Sequence, residues 1–215
     1  KTKFKIQSIL KNNGSFHIND KDFISYKNLI NLNKFKIYKF KNKINLNKSF
    51  DNQMMLLNQP AVNSLLKLID NSLNFKGIVL KNLPFRNQLI KNNNMLKIYN
   101  DSKCTNIENA IMKNNLISSN NKILILGGKP KLFHKKLIIK QTLLLIFGNH
   151  AYQISKNLVY KNSNSFIFNN LFDLLSFAKI INQRFDYNTI LFSPGGESFD
   201  QFKSFSERGK YFNFL

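Results

Sequence analysis

Residues 189–212, TILFSPGGESFDQFKSFSERGKYF, decide the predicted fold. An apolar run at 190–192 leads into the segment SPGG at 193–196, and a helical pattern follows from Ser198. Proline bars a helix at that point and the two glycines allow a sharp turn, so the stretch predicts a strand, a tight turn and a helix. Ser198 and Gln201 have the spacing of a capping box at the start of that helix. A helix N-terminus favours carboxylates and phosphates, although the same residues also fit an ordinary strand-to-helix connection.

Strand and helix patterns alternate through the rest of the second half of the chain. Strand patterns lie at 96–99, 122–126, 142–147, 165–168 and 189–192. Helical patterns lie at about 105–116, 133–140, 150–158, 170–183 and 198–206. This alternation predicts an α/β fold, a Rossmann-like and mostly parallel sheet with helices on both faces. Such sheets bind ligands at the carboxyl ends of their strands.

The first part of the chain has fewer regular patterns. Alternation at 35–40 predicts a half-exposed strand, and HIND at 17–20 predicts a strand that runs into an acidic turn. Helical spacing at 61–73 predicts a helix with Pro60 at its first position. These strands are too few to close a sheet of their own, and the chain begins with Lys1 and not Met. We therefore expect this segment to be the tail of a domain whose front is absent.

Composition limits the possible functions. The chain has 215 residues and a net charge of +22, which by itself favours nucleic-acid or anionic-membrane binding. The basic residues are nearly all lysine and are spread along the chain with asparagine and isoleucine, which indicates compositional drift, so we expect no specific nucleic-acid partner. No apolar run reaches the roughly 20 residues of a membrane helix. Cys104 is the only cysteine, which excludes a disulfide framework and fits a reducing compartment.

Polar groups follow three of the predicted strands. The segment NDSKCTN occupies 100–106, GGKPK occupies 127–131, and the serine-glycine turn follows the last strand. The first could also be a polar loop in which Thr105 and Glu108 cap the next helix, and a double glycine at a strand end is common. No segment of the chain matches a nucleotide phosphate loop. The histidines, at 17, 134 and 150, have no ligand spacing, so we expect surface histidines and no metal site.

Four segments, taken in order, resemble the Mur ligase family, in particular its D-glutamate-adding members. The family patterns L-P-H-R, N-D-S-K-x-T-N, L-G-G-x-x-K and S-P-x-x-x-S-x-D-x-F-x-x-F-x-x-R-G stand here at 83–86, 100–106, 126–131 and 193–209. The last is the most specific, because its match runs through Asp200, Phe202, Phe205, Arg208 and Gly209. The resemblance covers 57–215 well and the first fifty residues loosely.

The resemblance implies two domains and an activity. Residues 81–215 would be the C-terminal Rossmann-like domain that binds the amino acid, and 1–80 the incomplete tail of the central ATPase domain, without its phosphate loop. The parent would be a monomeric, cytoplasmic, ATP-dependent ligase that adds D-glutamate to UDP-N-acetylmuramoyl-L-alanine through an acyl phosphate in peptidoglycan precursor synthesis. ATP and Mg²⁺ would be bound mainly upstream, so we expect this chain alone to be inactive. A non-catalytic remnant or split-gene subunit of such a ligase is the alternative, and a basic nucleic-acid-binding α/β protein is a third.

The resemblance also assigns the amino-acid site. Lys131 and Ser198 would hold the carboxylates of D-glutamate, and Thr105 and Phe205 would shape the pocket. The lysine supplies positive charge and the serine supplies a donor at the predicted helix N-terminus. Glu197 departs from the small residues of the family pattern and places a negative charge beside this pocket.

The nucleotide site is assigned in the same way. Arg86 would reach the phosphates of ATP, Asp101 its ribose hydroxyls, and Asn63 its adenine. Lys103 lies beside both sites and, with Arg86, would act as a catalytic cation. Phe85 stands where the family has a histidine, so one polar contact near the nucleotide is lost.

Overall fold

The computed structural model describes residues 14–30, 32, 35–40, 50–70, 72–73, 83–93, 95–131 and 136–213. The chain divides into two compact units, Lys1–Leu80 and Lys81–Leu215. Among the described helices, none combines the length and the apolar character that crossing a membrane requires.

The described residues of the first unit form two parallel strands and two α-helices, with a short 3₁₀ helix (Lys27–Leu29) after the first. Strand β1 (Gly14–Asn19) pairs with β2 (Phe35–Phe40), helix α1 (Asp20–Tyr26) connects them, and α2 (Phe50–Ile69) packs against both strands. The predicted strands at 17–20 and 35–40 are confirmed. The acidic turn is wrong, because Asn19 caps α1 by accepting a hydrogen bond from the Lys21 N–H at 2.9 Å. Acidic residues in that first turn stabilise the positive end of the helix dipole.

Two further predictions for this unit are wrong. Pro60 lies inside α2 and not at its first position, because the helix begins at Phe50. His17 is part-buried and not a surface residue: its Nδ1 lies 2.6 Å from the hydroxyl of Ser64 in α2, and its ring stacks on Tyr38 of β2 at 4.9 Å. These contacts connect α2 to the strand pair.

The second unit is built on a six-stranded sheet in the order β3-β4-β10-β5-β7-β9, parallel at every neighbouring pair except β3 and β4. Its strands are β3 (Gln88–Asn92), β4 (Lys97–Asn100), β5 (Lys122–Gly127), β7 (Leu143–Phe147), β9 (Asn164–Phe168) and β10 (Thr189–Gly195). A separate parallel pair is formed by β6 (Leu137–Lys140) and β8 (Leu158–Lys161). The helices are α3 (Ile107–Leu116), α4 (Ala151–Lys156), α5 (Leu171–Arg184) and α6 (Phe205–Phe212). The predicted α/β fold with a mostly parallel sheet is confirmed.

The core lies on the three central strands. Every residue of β5, β7 and β10 is buried, which is why these strands appear in the sequence as continuous apolar runs. One face packs against Leu174 and Ala178 of α5 and Phe212 of α6, whose ring stacks on that of Phe192 at 4.1 Å. Helices α3 and α4 contact the same strands without entering that cluster, so they cover the opposite face.

The structure differs from the sequence prediction around the small strand pair. Residues 137–140, predicted within a helix at 133–140, form β6, in which Leu137 and Ile139 are buried while Ile138 and Lys140 are exposed. Positions 133–135 of that predicted helix lie outside the described residues. The helix predicted at 150–158 ends at Lys156, because the following residues pair with β6 as β8. Edge strand β3 has no apolar run and was not predicted.

Helix α3 has polar caps at both ends. Its N-cap is Asn106, which accepts a hydrogen bond from the Asn109 N–H at 2.9 Å, so the predicted cap at Thr105 is wrong by one residue. At the other end the buried Lys122 Nζ donates to the carbonyls of Asn114, at 3.1 Å, and Ile117, at 2.8 Å. Burial lowers the pKa of Lys122. A lysine at the start of β5 therefore gives the carbonyl of Ile117 a donor and the carbonyl of Asn114 a second donor, beside the N–H of Ile117.

Replacing Lys122 with Ala should lower the free energy of unfolding by about 1–3 kcal/mol, because the carbonyls of Asn114 and Ile117 each lose a donor. Denaturant-induced unfolding measures the change. Lys97→Ala is the matched control, since Lys97 is exposed at the start of β4, and we expect it to change the free energy by less than about 0.5 kcal/mol. Equal effects of the two substitutions would contradict the capping role.

Candidate functional site

The last strand extends further than the sequence predicts. β10 runs to Gly195 and includes Ser193 and Pro194, and its register with β5 shifts between Phe192 and Gly195. That irregularity accommodates a proline in a central strand. Gly195 has φ of 72° and donates its N–H to the carbonyl of Cys104 at 3.0 Å. A Cβ at this position would also collide with the backbone of Ile107, so glycine is required where β10 meets α3.

The helix after this strand begins later than predicted. Ser198 accepts backbone hydrogen bonds from Gln201, at 3.2 Å, and Phe202, at 2.9 Å, but this single turn does not continue. Helix α6 begins at Phe205, and its cap is Ser204, which accepts from the Glu207 N–H at 3.1 Å. The capping box predicted at Ser198 is therefore wrong, and Ser198 is not at a helix N-terminus.

Two loops are joined by a backbone bridge. The N–H of Lys129 donates to the carbonyl of Glu197, and the N–H of Glu197 donates to the carbonyl of Lys129, each at 2.8 Å. A Cβ on Gly196 would collide with the backbone of residues 127 and 128, so this close approach requires glycine. The bridge places Lys131 and Ser198, which follow the two bridged residues in sequence, on one pair of joined loops.

A buried arginine connects the loops after β4 and β10. Arg208 of α6 is 0% exposed, and its Nη2 donates to the carbonyls of Ser102, at 2.7 Å, and Gly196, at 3.0 Å. Its Nε donates to the Ser102 hydroxyl at 3.2 Å, and that hydroxyl donates to the carbonyl of Phe205 at 2.7 Å. Burial lowers the pKa of Arg208 to about 10, so the guanidinium remains charged at neutral pH.

Arg86 lies on a tight turn before β3. Its neighbours Phe85 and Asn87 both have left-handed backbone angles, with φ of 60° and 52°. The Arg86 N–H donates to the carbonyl of Leu83 at 3.1 Å, and the carbonyl of Phe85 accepts from the Lys103 N–H at 3.0 Å. This second bond attaches the turn to the loop after β4.

Asp101 has several donors on its carboxylate. It is 2% exposed, and its Oδ1 accepts from the Asn87 N–H at 3.1 Å. Its Oδ2 accepts from the Ser193 hydroxyl at 2.8 Å and from the Lys113 ammonium. The carboxylate that the resemblance assigns to ribose is thus hydrogen-bonded to the Arg86 turn, to β10 and to α3.

Most of the other predicted site residues of this unit have side chains without a hydrogen-bond partner among the described residues. Among residues 83–93, 95–131 and 136–213, no hydrogen bond or ion pair engages the side-chain donors of Arg86, Lys103, Thr105, Lys131 and Ser198. Ser198 as a whole residue is only 3% exposed. The Lys103 ammonium lies 3.8 Å from the centre of the Phe205 ring, a cation–π contact that brings these two together. Asn63 lies on α2 in the first unit.

Asp200 is a site residue that the sequence did not identify. Both of its carboxylate oxygens are buried and have no partner among the described residues, and a Cβ on Gly148 would collide with one of them. Burial raises the pKa of Asp200, and the positive charges of Arg208 and His150 oppose that shift only in part. Arg208 likewise received no role from the sequence, although both residues are matched positions of the motif at 193–209.

The second unit is therefore an α/β domain of the class that binds ligands at the carboxyl ends of its strands. At those ends, several basic and hydroxyl side chains have no hydrogen-bond partner among the described residues. No family model matches the chain. It is similar to curated proteins named UDP-N-acetylmuramoylalanine–D-glutamate ligase. The protein of Petrotoga mobilis is 33% identical over 155 residues, which cover 69% of this chain and 34% of that protein.

Two other relatives with the same name cover more of the chain. The protein of Prochlorococcus marinus strain MIT 9515 is 29% identical over 209 residues, 93% of this chain and 42% of that protein. The protein of Fervidobacterium nodosum is 27% identical over 224 residues, 98% of this chain and 51% of that protein. The chain thus spans about a third to a half of the length of these relatives. The predicted resemblance to D-glutamate-adding Mur ligases is confirmed.

Replacing Arg208 with Lys should lower the free energy of unfolding by about 2 kcal/mol or more. A lysine has no planar fork of donors, so carbonyls of Ser102 and Gly196 would be left buried without a partner. Denaturant-induced unfolding measures the loss. Arg184→Lys, at the exposed end of α5, is the matched control and should have an effect below about 0.5 kcal/mol. An unchanged free energy of unfolding in Arg208→Lys would show that the guanidinium of Arg208 does not hold the loops.

Replacing Asp200 with Asn should change how the free energy of unfolding depends on pH. Because the pKa of Asp200 is raised in the folded chain, the wild type loses stability as pH rises from the ordinary value of 3.8 through the raised one. The Asn variant lacks this loss, so its stability relative to wild type should grow across that window and then level off.

Urea unfolding at a series of acidic to neutral pH values measures this difference. Asp186→Asn, an exposed position before β10, reports the general effect of removing one negative charge. The same pH trend in both variants would contradict our assignment of the effect to the buried carboxylate.

Proposed function

We propose that the chain is the C-terminal part of an ATP-dependent ligase that adds D-glutamate to UDP-N-acetylmuramoyl-L-alanine in peptidoglycan precursor synthesis. The proposal rests on one observation above all. The two loops that carry Lys131 and Ser198 are joined by the Lys129–Glu197 backbone bridge, and both side chains have donors that no described residue engages. Relatives over 69–98% of the chain carry the name of that ligase, which fits an acidic amino acid as the ligand.

The amino-acid site would use charge and shape together. Lys131 is exposed and would supply positive charge for one carboxylate, while the hydroxyl of Ser198 would supply a donor for the other. Thr105 and Phe205 would line the pocket, and the Lys103–Phe205 contact fixes a second cation beside it. The role of Ser198 does not need a helix N-terminus, because its hydroxyl is itself a donor.

The nucleotide side would use the cations of the Arg86 turn and of the loop after β4. Ligation through an acyl phosphate requires that the substrate carboxylate first accept a phosphoryl group from ATP, whose developing negative charge cations stabilise. Arg86 and Lys103 are the residues we place near that group, with Asp101 also on the nucleotide side. Asn63, in the first unit, is assigned to the adenine by the resemblance alone. The amine of the bound D-glutamate would then attack the acyl phosphate and release phosphate.

ATP and Mg²⁺ would be held mainly by residues outside this chain. Among the described residues, no group of three or more histidine, cysteine or acidic side chains could hold a metal ion. We propose that the chain alone binds the amino acid without catalysing ligation. The parent would act in the cytoplasm as a monomer.

A non-catalytic remnant or split-gene subunit is the second candidate, because Glu197 favours it. Among the described residues, the carboxylate of Glu197 has no ion-pair partner, and it stands one residue from Ser198 in a site meant for a dicarboxylate. A negative charge at that position weakens the binding of an acidic ligand unless it points to solvent.

Calorimetric titration of D-glutamate into the chain tests the amino-acid site. We expect weak binding, with a dissociation constant on the order of 1 mM, because one domain supplies only part of the contacts. Lys131→Ala and Ser198→Ala should each abolish the measurable heat, since each removes a donor to a carboxylate.

Lys140→Ala, an exposed lysine on β6, is the matched control and should bind as the wild type does. L-Glutamate and D-aspartate should give little heat, because the donors fit one stereochemistry and one chain length. Binding that survives both substitutions would reject the proposed site. Heat that is absent with every amino acid in the wild type would favour the remnant.

A further inference from the structure

The turn that carries Arg86 has an energetically unfavourable conformation. Phe85 and Asn87 adopt left-handed angles although neither is glycine, and such residues each cost of order 1 kcal/mol or more. The side-chain amide of Asn87 is also buried, and neither its oxygen nor its nitrogen has a partner among the described residues. A turn with these costs persists only where surrounding contacts hold it.

The holding contacts come from one loop and one helix. The Asp101 carboxylate accepts the Asn87 N–H, and the Lys103 N–H donates to the Phe85 carbonyl, so both flanks of Arg86 are attached to the loop after β4. The ring of Phe85 packs so closely on Gly209 that a Cβ there would collide with it. Of these contacts, the one to Asp101 is assisted by charge and is the strongest kind.

The carboxylate of Asp101 is itself fixed. Ser193 and Lys113 donate to the oxygen that the turn does not use, and the side chain is almost fully buried. Arg86, by contrast, is exposed and its guanidinium has no partner among the described residues. The turn is therefore held by a fixed carboxylate, and the guanidinium that it carries has no partner among the described residues.

We propose that Asp101 is a positioning residue, whose buried carboxylate holds the left-handed turn that presents Arg86 to a phosphate group. This inference rests on the assignment of Arg86 to phosphate in the proposed function. A positioning role for Asp101 and a direct contact between Asp101 and ribose predict different binding measurements. A positioning residue affects any polyphosphate, with or without a nucleoside.

The test is titration of inorganic tripolyphosphate and of ATP into the full chain at physiological salt. Asp101→Asn should weaken the binding of both ligands alike, by about tenfold or more, because the hydrogen bond to the turn loses its charge assistance. Simple electrostatics predicts the reverse, since removing a carboxylate raises the net positive charge and favours anion binding. Asp186→Asn reports that charge effect alone and should bind no more weakly than the wild type.

A double-mutant cycle with Arg86→Ala separates positioning from general damage. In the Arg86→Ala background, Asp101→Asn should cause no further loss of tripolyphosphate binding. Ser193→Ala, which removes one donor to the same carboxylate without unpairing a buried charge, should give a smaller loss for both ligands and guards against misfolding of Asp101→Asn. Hydrogen exchange at the Asn87 amide should be faster in Asp101→Asn by about tenfold or more, with the amides of β5 and β7 unchanged.

Several outcomes would overturn the inference. Loss of ATP binding with tripolyphosphate binding retained would show a direct ribose contact. Two results would show that the carboxylate does not act through the turn. One is a full loss of tripolyphosphate binding when Asp101→Asn is added to Arg86→Ala, and the other is an unchanged rate of hydrogen exchange at the Asn87 amide. Tripolyphosphate binding that does not depend on Arg86 in the wild type would also reject it. None of these results bears on D-glutamate binding through Lys131 and Ser198, so failure here and failure of the proposed function are distinguishable.

Discussion

The buried guanidinium of Arg208 is the interaction on which the site depends. A charge without water is costly unless its donors are satisfied. Here Nε and Nη2 donate to the Ser102 hydroxyl and to the carbonyls of Ser102 and Gly196, while Nη1 has no partner among the described residues. Those acceptors belong to the loops after β4 and β10, so the fork sets the spacing between two strand ends. Gly128 completes the arrangement, because a Cβ there would collide with Arg208 Nη1 and with the carbonyl of Glu197. The glycines of the sequence motifs thus serve close packing around one cation.

Charged groups at this edge of the sheet fall into two sets with different roles. Asp101 and Arg208 are buried and hydrogen-bonded to several neighbours, and they fix the backbone. Arg86, Lys103 and Lys131 project from that fixed backbone with no hydrogen bond to a described residue. A binding site works best when rigid supporting contacts hold free functional groups in place. The separation of the two sets is the physical reason for placing a ligand at these loops.

Sequence patterns predicted the elements whose residues are buried on both faces. β5, β7 and β10 follow from their apolar runs alone, because no partner is needed to explain them. β3 and β6 were missed because their strand structure depends on partners distant in sequence, and β3 has too few apolar residues to show a pattern. The start of α6 was misplaced because Ser198 and Ser204 both precede a plausible cap partner. The tertiary contacts of the intervening turn select the second.

The difference between local sequence patterns and partners distant in sequence also explains which parts of the site the sequence predicts. Motif spacing identifies Arg86, Lys103 and Lys131 as candidates, but the roles of buried residues depend on partners such as Asn87 and Ser193 that no spacing reveals. Phe85, which stands where the family motif has a histidine, illustrates what motif spacing cannot show. In the motif it appears as a lost polar contact, whereas in the fold its ring packs on Gly209, next to Arg208 on the same helix. An apolar contact therefore connects the turn of Arg86 to the helix whose arginine holds the other loops. The proposed phosphate and amino-acid parts of the site would thus share one support.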